Sequence, residues 1–283
     1  MKGNIVNTTL NELYRNTPDR FRAFLFDIDG TVLLANSPIP GTVEFLDILR
    51  KDNIPFFFLT NNCAQTHEEI AERLTKAGIR TTPDQIISSA DPVPKYFKKI
   101  NKAGKALRYF LVGRAQEIPG VIEYEKDPAK IMECDGVLHN AGKYDWTVVI
   151  TAILNFFLKF PEKPFIVTNP DVLNPVQSGV TITSNGQMEM VIALLEKRGI
   201  KKDRIHFGKP MPAIYEEVRD RLAEIGIEPE NAVAVGDFLD SDIRGANLSG
   251  IPSCLVLTGL SKEEDITGLD KTYHPQYIVS KLS

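Results

Sequence analysis

Four short apolar runs along this chain each break off into a compact polar segment, and that pattern restricts the fold more than any other feature. Ala23–Phe26 runs into Asp27-Ile28-Asp29-Gly30-Thr31, and Ile54–Leu59 into Thr60-Asn61-Asn62. Arg204–Phe207 is followed by Gly208-Lys209-Pro210, and Ala232–Val235 by Gly236-Asp237. A fifth run, Ser253–Leu257, completes the set. Unalternating runs of this length suit parallel strands covered on both faces.

Helical patterns follow most of these runs. Val43–Leu49 carries an apolar stripe after the turn at Pro40 and Gly41, and His67–Ala77 repeats apolar residues at Ile70, Ala71, Leu74 and Ala77 before Gly78. Pro212–Ile225 does the same before Gly226. A glycine at that point is a left-handed helix terminator. Strand and helix therefore alternate, which predicts an α/β fold built on a doubly wound, Rossmann-like parallel sheet. Ligands of such a sheet bind beyond the carboxyl ends of its strands. Two acidic tips, one hydroxyl-amide tip and one lysine tip are thus expected to converge on one crevice.

Between Asn62 and Lys209 lies more chain than a single crossover needs. Arg108–Val112, Gly136–His139 and Pro164–Thr168 read as strands, and Trp146–Phe160 as a helix. Gln187–Arg198 reads as a second helix, with Met190, Val191, Leu194 and Leu195 on its apolar face. The reading is a core of residues 1–89 and 199–283 with a smaller α/β domain, 90–198, inserted into it.

The tips suit phosphoryl transfer, which asks for positioning and charge neutralisation. Asp27 can attack phosphorus and form an acyl phosphate, splitting one hard displacement into two easier ones. Asp27 and Asp237 are hard oxygen ligands for Mg²⁺, the expected cofactor. Asp29 can protonate the departing alcohol and later deprotonate water. Lys209 offers a compact charge to Asp27 and to phosphate; Thr60 and Asn61 offer further donors. Asp242, five residues past Asp237, is placed to hold a metal-bound water. Each tip alone also has a bland reading, as a turn or a helix cap; the four together point to a site.

In this order the motifs resemble the haloacid dehalogenase superfamily of phosphohydrolases, and the similarity covers nearly the whole chain. That resemblance implies the roles above and adds the backbone carbonyl of Asp29 as a metal ligand. An insert placed after Thr60-Asn61-Asn62 is similar to the class IIA branch typified by NagD and the p-nitrophenyl phosphatases, whose second domain is a cap. Pro38-Ile39-Pro40-Gly41, Thr168-Asn169-Pro170-Asp171 and the stretch Gly236 to Ile243 look like that branch. The chain departs from it at Gly136–Gly142 and again from Leu173 to Gly186, so the resemblance implies the chemistry and leaves the substrate open. His139, Asn140, Asn169 and Asp171 are the candidates for substrate selectivity. His139 and Asn169 carry structural readings beside that one, His206 reads as a satisfied core histidine, and Trp146 as packed between layers.

The expected activity is hydrolysis of a small phosphorylated metabolite, such as a sugar phosphate or nucleoside monophosphate. A phosphotransferase or mutase and a non-catalytic phospho-ligand regulator are the alternatives; the acids at 27, 29 and 237 count against the regulator. With 33 Lys and Arg against 37 Asp and Glu, the chain lacks the broad basic footprint of a nucleic-acid binder. Its longest apolar runs are far short of a membrane span. Three scattered cysteines and no signal-peptide pattern fit a cytoplasmic protein. A small-molecule phosphate ester is the expected partner, and a homodimer through the cap is compatible with the branch.

Overall fold

The computed structural model describes residues 4–5, 8–17, 19–102, 104–176 and 179–283. Seven strands form one sheet, in the order Asn4–Ile5, Tyr277–Val279, Ser253–Val256, Ala232–Gly236, Ala23–Phe26, Phe56–Thr60, Ile86–Ser88. Every neighbouring pair is parallel. Ala23–Phe26 sits near the middle, with Phe26 opposite Val235 on one side and Phe58 on the other. That register brings the polar tips of three strands level with one another.

The pleat sends alternate side chains to opposite faces. Phe24, Phe26, Phe56, Phe58, Val233 and Val235 face one way, into a cluster closed by the helices Leu10–Asn16, Thr42–Lys51 and His67–Lys76. Ala23, Leu25, Leu59, Ala232 and Ala234 face the other way, against the helix Pro212–Glu224. Phe24 stacks on Phe26 at 5.6 Å between ring centroids. His67–Lys76 begins at a capping box made by Thr66 and Glu69, and Gly78 beyond it has the left-handed φ of 88° expected there.

A second, four-stranded parallel sheet has the order Phe165–Val167, Gly136–His139, Leu107–Val112, Ile122–Glu125. The helices Trp146–Lys159 and Ser184–Glu196 pack together over it. A hairpin, Leu173–Val176 with Gly179–Ile182, projects from the segment where the sequence departs from the related branch.

Four expectations change. Arg204–Phe207 is not a strand of the seven-stranded sheet; Ile205 makes one parallel bridge to Ile166, at the edge of the four-stranded sheet. Its Phe207 is buried and Ile205 partly buried, but against Tyr109, Leu138 and Ile166 of that second layer. Ile86–Ser88, Ile122–Glu125 and Tyr277–Val279 are further strands that the sequence reading did not single out. In Ser184–Glu196 the buried stripe is Met188, Val191, Ile192 and Leu195, whereas Met190 and Leu194 face outward. Trp146 is 42% exposed and does not lie between layers. All three cysteines are free and buried, and among the described residues no helix is long and apolar enough to cross a membrane.

Phe24 touches the rings of Tyr14, Phe21, Phe26 and Phe45. Phe24→Ala is expected to destabilise the protein by about 3–5 kcal/mol, read as a lower urea midpoint with an unchanged slope.

Candidate active site

The strand Ala23–Phe26 ends where the Asp27 amide donates to the Val235 carbonyl at 2.9 Å, which ties the first acidic tip to the strand bearing Asp237. Lys209 arrives from the other layer. Its ammonium donates to Asp27 Oδ1 and to Asp242 Oδ1, both at 2.6 Å. Asp237 is gripped by its surroundings: the Thr31 hydroxyl donates to Oδ1 at 3.2 Å and the Leu260 amide to Oδ2 at 2.7 Å. Backbone passes so close on both sides that a Cβ on Gly30 or Gly259 would lie 2.4 or 1.8 Å from Asp237 Oδ2. Only glycine admits that approach, and at Gly30 the φ of 98° requires it as well.

Asp27, Asp237 and Asp242 each offer a carboxylate oxygen within 4.8 Å of the others. Burial pushes the Asp27 carboxyl well above the usual range, Asp242 and Asp237 add their repulsion, and Lys209 opposes them. Burial and then the charge of Asp242 push Asp237 up to about 7. Burial alone would discharge Lys209, but Asp242 and Asp27 outweigh it and hold the ammonium firmly protonated. One lysine thus faces three crowded acids. Hard oxygen donors with surplus negative charge suit Mg²⁺, and such a cation would relieve the repulsion that raises these groups.

Asn61 lines the crevice, as its strand-end position suggests, and its side chain is also a junction. Its Nδ2 donates to both oxygens of Asp171 and to the Lys209 carbonyl, each at 3.0 Å, while its Oδ1 accepts from the Lys209 amide at 2.7 Å. The side chain ties together the second tip, the lysine tip and Asp171 from the four-stranded layer. Thr60 Oγ1 accepts from the Asn62 amide at 3.1 Å and lines the crevice. Asp29 also lines it, with Arg73 Nη2 donating to its Oδ2 at 3.2 Å.

The crevice above these groups has a volume of about 300 Å³. Of the four selectivity candidates, Asn169 and Asp171 line it, and His139 and Asn140 do not. His139 is wholly buried, hydrogen-bonds Tyr144 at 3.0 Å, and is pushed by burial down to about 3, so its ring is neutral. Tyr144 donates in turn to Gln187, which reaches the crevice wall. Asn140 Oδ1 accepts from the Thr168 hydroxyl, and its Nδ2 donates to the Arg114 carbonyl, both at 2.8 Å. Arg73 and Gln187 escaped the sequence reading. Arg73 carries no motif signal, and Gln187 lies just beyond the departing stretch.

Burial pushes the Asp171 carboxyl from 3.8 to about 6. The folded state holds that proton more tightly than the unfolded chain, so its stabilisation is full below about pH 4 and is lost as pH rises through about 6. Asp171→Asn is expected to remove about 2–3 kcal/mol of the decline in unfolding free energy between roughly pH 4 and 7, measured by urea denaturation across that range.

Two family descriptions match the chain, "haloacid dehalogenase-like hydrolase" over residues 24–119 and a HAD-hydrolase-like family over 206–283. Between them they span all four polar tips. Dihydroxyacetone phosphatase of Corynebacterium glutamicum is 29% identical over 266 residues, 92% of this chain and 89% of that protein. Acid sugar phosphatase of Staphylococcus epidermidis is 28% identical, with 93% and 96% covered. The crystal structure of glycerol phosphate phosphatase from Mycobacterium tuberculosis with magnesium superposes with a TM-score of 0.76 at 26% identity, covering 93% of this chain and 75% of that one. The matched spans carry the acidic pair Asp27 and Asp29, the clamped Asp237 and the lysine that bonds Asp27 and Asp242, and the chain belongs to the haloacid dehalogenase-like hydrolases as a phosphomonoester hydrolase.

Proposed function

We propose that this phosphatase acts on phosphate monoesters of small, uncharged polyhydroxylated alcohols, carrying the phosphoryl group on Asp27, with residues 90–198 as a cap over the site. The observation that carries this reading is the charge distribution of the crevice. Among the described residues that line it, Lys209 is the one cation, and it lies at the base with Asp27 and Asp242. The wall above it carries the carboxylates of Asp29 and Asp171 and amide and hydroxyl groups of Asn62, Asn174, Thr183, Ser184 and Gln187, among apolar residues such as Leu173, Ile182 and Leu260. A leaving group with its own negative charge would find carboxylates and no second cation, whereas hydroxyl groups would find donors and acceptors. The modest volume favours a small alcohol over a nucleoside. Relatives that act on dihydroxyacetone phosphate, sugar phosphates and glycerol phosphate agree with it.

The proposed chemistry follows from the geometry. Lys209 occupies Oδ1 of Asp27, which leaves Oδ2 to attack phosphorus as the P–O ester bond breaks. Asp29 gives its proton to the departing alcohol oxygen, then takes one from the water that attacks the aspartyl-phosphate, releasing phosphate and restoring Asp27. Asp27, Asp237 and the Asp29 carbonyl would hold Mg²⁺, with Asp242 beside it; bound there, the ion would orient the phosphate and neutralise its charge.

Asp27→Asn should abolish turnover with the circular dichroism spectrum unchanged, because the amide keeps the shape and lacks the nucleophile. Asp237→Ala should cost about 2–4 kcal/mol of transition-state stabilisation, a fall of roughly 30- to 1,000-fold in kcat/KM.

Phosphate release from a metabolite panel tests the reading itself. Glycerol, dihydroxyacetone and sugar phosphates should rank above phosphoglycolate and nucleoside monophosphates, with activity dependent on Mg²⁺ and lost on chelation. A preference for the carboxylate-bearing or nucleotide esters would overturn the substrate class, and full activity after exhaustive chelation would overturn the metal.

A further inference from the structure

The backbone around Asp29 is fixed more firmly than its side chain. Ile28 is fully buried, the Gly30 amide donates to Leu33 at 2.7 Å, and the Thr258 hydroxyl donates to the Gly30 carbonyl at 2.7 Å. The carboxylate itself is 38% exposed, and the hydrogen bond that holds it is the one from Arg73. A group that must first give and then take a proton at one oxygen needs its own oxygen held in place.

Arg73 is an unusual residue to find where it is. It lies on the helix His67–Lys76, four residues after Glu69, where an i,i+4 ion pair between them would be the ordinary arrangement. Glu69 instead accepts from Arg114 at 2.8 Å and caps the Thr66 amide at 2.9 Å. The Arg73 side chain is mostly buried, and its Nε has no hydrogen-bond partner. Leaving a buried donor unpaired costs about 1–3 kcal/mol, so packing stability alone does not account for an arginine here. Such local costs concentrate at functional sites.

Nε and Nη2 form one edge of the planar guanidinium, the edge that grips a carboxylate with two parallel bonds. Here Nη2 holds Oδ2 of Asp29 while Nε stays free. The grip is by one oxygen; the other has no hydrogen bond among the described residues, and Asp29 lines the crevice. We propose that Arg73 is a positioning residue for Asp29: it anchors one carboxylate oxygen and so presents the other to the leaving-group oxygen. This rests on the reading of Asp29 as the acid and base, and it adds a residue that touches neither phosphate nor alcohol.

The test separates proton delivery from everything else by comparing two esters in single turnover. An alkyl phosphate needs a proton on its departing oxygen; p-nitrophenyl phosphate releases a stable phenolate and needs little help. Arg73→Ala should slow alcohol release from the alkyl ester by roughly 10- to 100-fold, within the range that acid catalysis supplies. Nitrophenol release should fall by less than about threefold. Arg73→Lys, which keeps the charge and fills the space, should fold normally and show the same ester-selective loss in smaller measure. Combined with Asp29→Asn, Arg73→Ala should cause no further loss, since the arginine would have nothing left to position. Near-wild-type release from both esters, an equal loss on both, or additive losses in the double variant would each overturn the proposal. If Asp29→Asn itself turned over the alkyl ester normally, the fault would lie with the acid assignment; a dead Asp29→Asn beside an unaffected Arg73→Ala would sink only the inference made here.

Discussion

A single buried ammonium holds this structure's chemistry in place. Lys209 sits 2.6 Å from Asp27 and 2.6 Å from Asp242, with Asp237 close enough to share the same space. Charges removed from water stay charged only when paired and hydrogen-bonded, and removing one partner of such a set strands the others. The surrounding fold supplies that pairing. Parallel register sets Asp27 beside the strand of Asp237, glycines let backbone close around Asp237, and the clustered acids leave a surplus of negative charge. A phosphate dianion approaching that surplus would be repelled, and the clustered carboxylates have the geometry to hold a divalent cation that would offset the repulsion.

The part of this that is legible in the sequence follows from local rules. Apolar runs ending in Asp27-Ile28-Asp29, Thr60-Asn61-Asn62 and Gly236-Asp237 are strands followed by tips, and an open parallel sheet gathers such tips at one edge. The helix ends at Gly78 and Gly226 follow from the conformational freedom of glycine, and both adopt positive φ. What escapes is set by partners far away in the chain. Arg204–Phe207 has the composition of a buried strand, and its Phe207 is buried; pattern cannot say which sheet buries it. Met190 and Leu194 share a face on paper, yet the neighbouring stripe through Met188, Val191 and Leu195 meets the Trp146–Lys159 helix. Likewise the pairing of Arg73 with Asp29 spans 44 residues and has no sequence signature.

Asn61 shows how one polar residue at a strand end can also tie distant segments together. Its position at a strand end puts it in the wall of the crevice. Its hydrogen-bonding capacity goes to Asp171 and to the backbone of Lys209. The amide therefore sets where the lysine stands, and through Asp171 it links the seven-stranded layer to the four-stranded one.

The attachment of Arg204–Phe207 bears on how separable the two layers are. The segment leading to Lys209 runs along the edge strand Phe165–Val167, and the amides of Phe207 and Gly208 both donate to the Thr168 carbonyl, at 3.1 and 3.0 Å. The lysine of the acidic cluster is thus hung from the four-stranded sheet while its ammonium is anchored in the other layer. A truncated chain made by excising the insert would keep every charged side chain at the base of the crevice and lose the rail on which its lysine is mounted. Modularity here is a property of the connectivity alone: the inserted layer can be drawn as an interruption, but the acid–lysine cluster has been built across the junction.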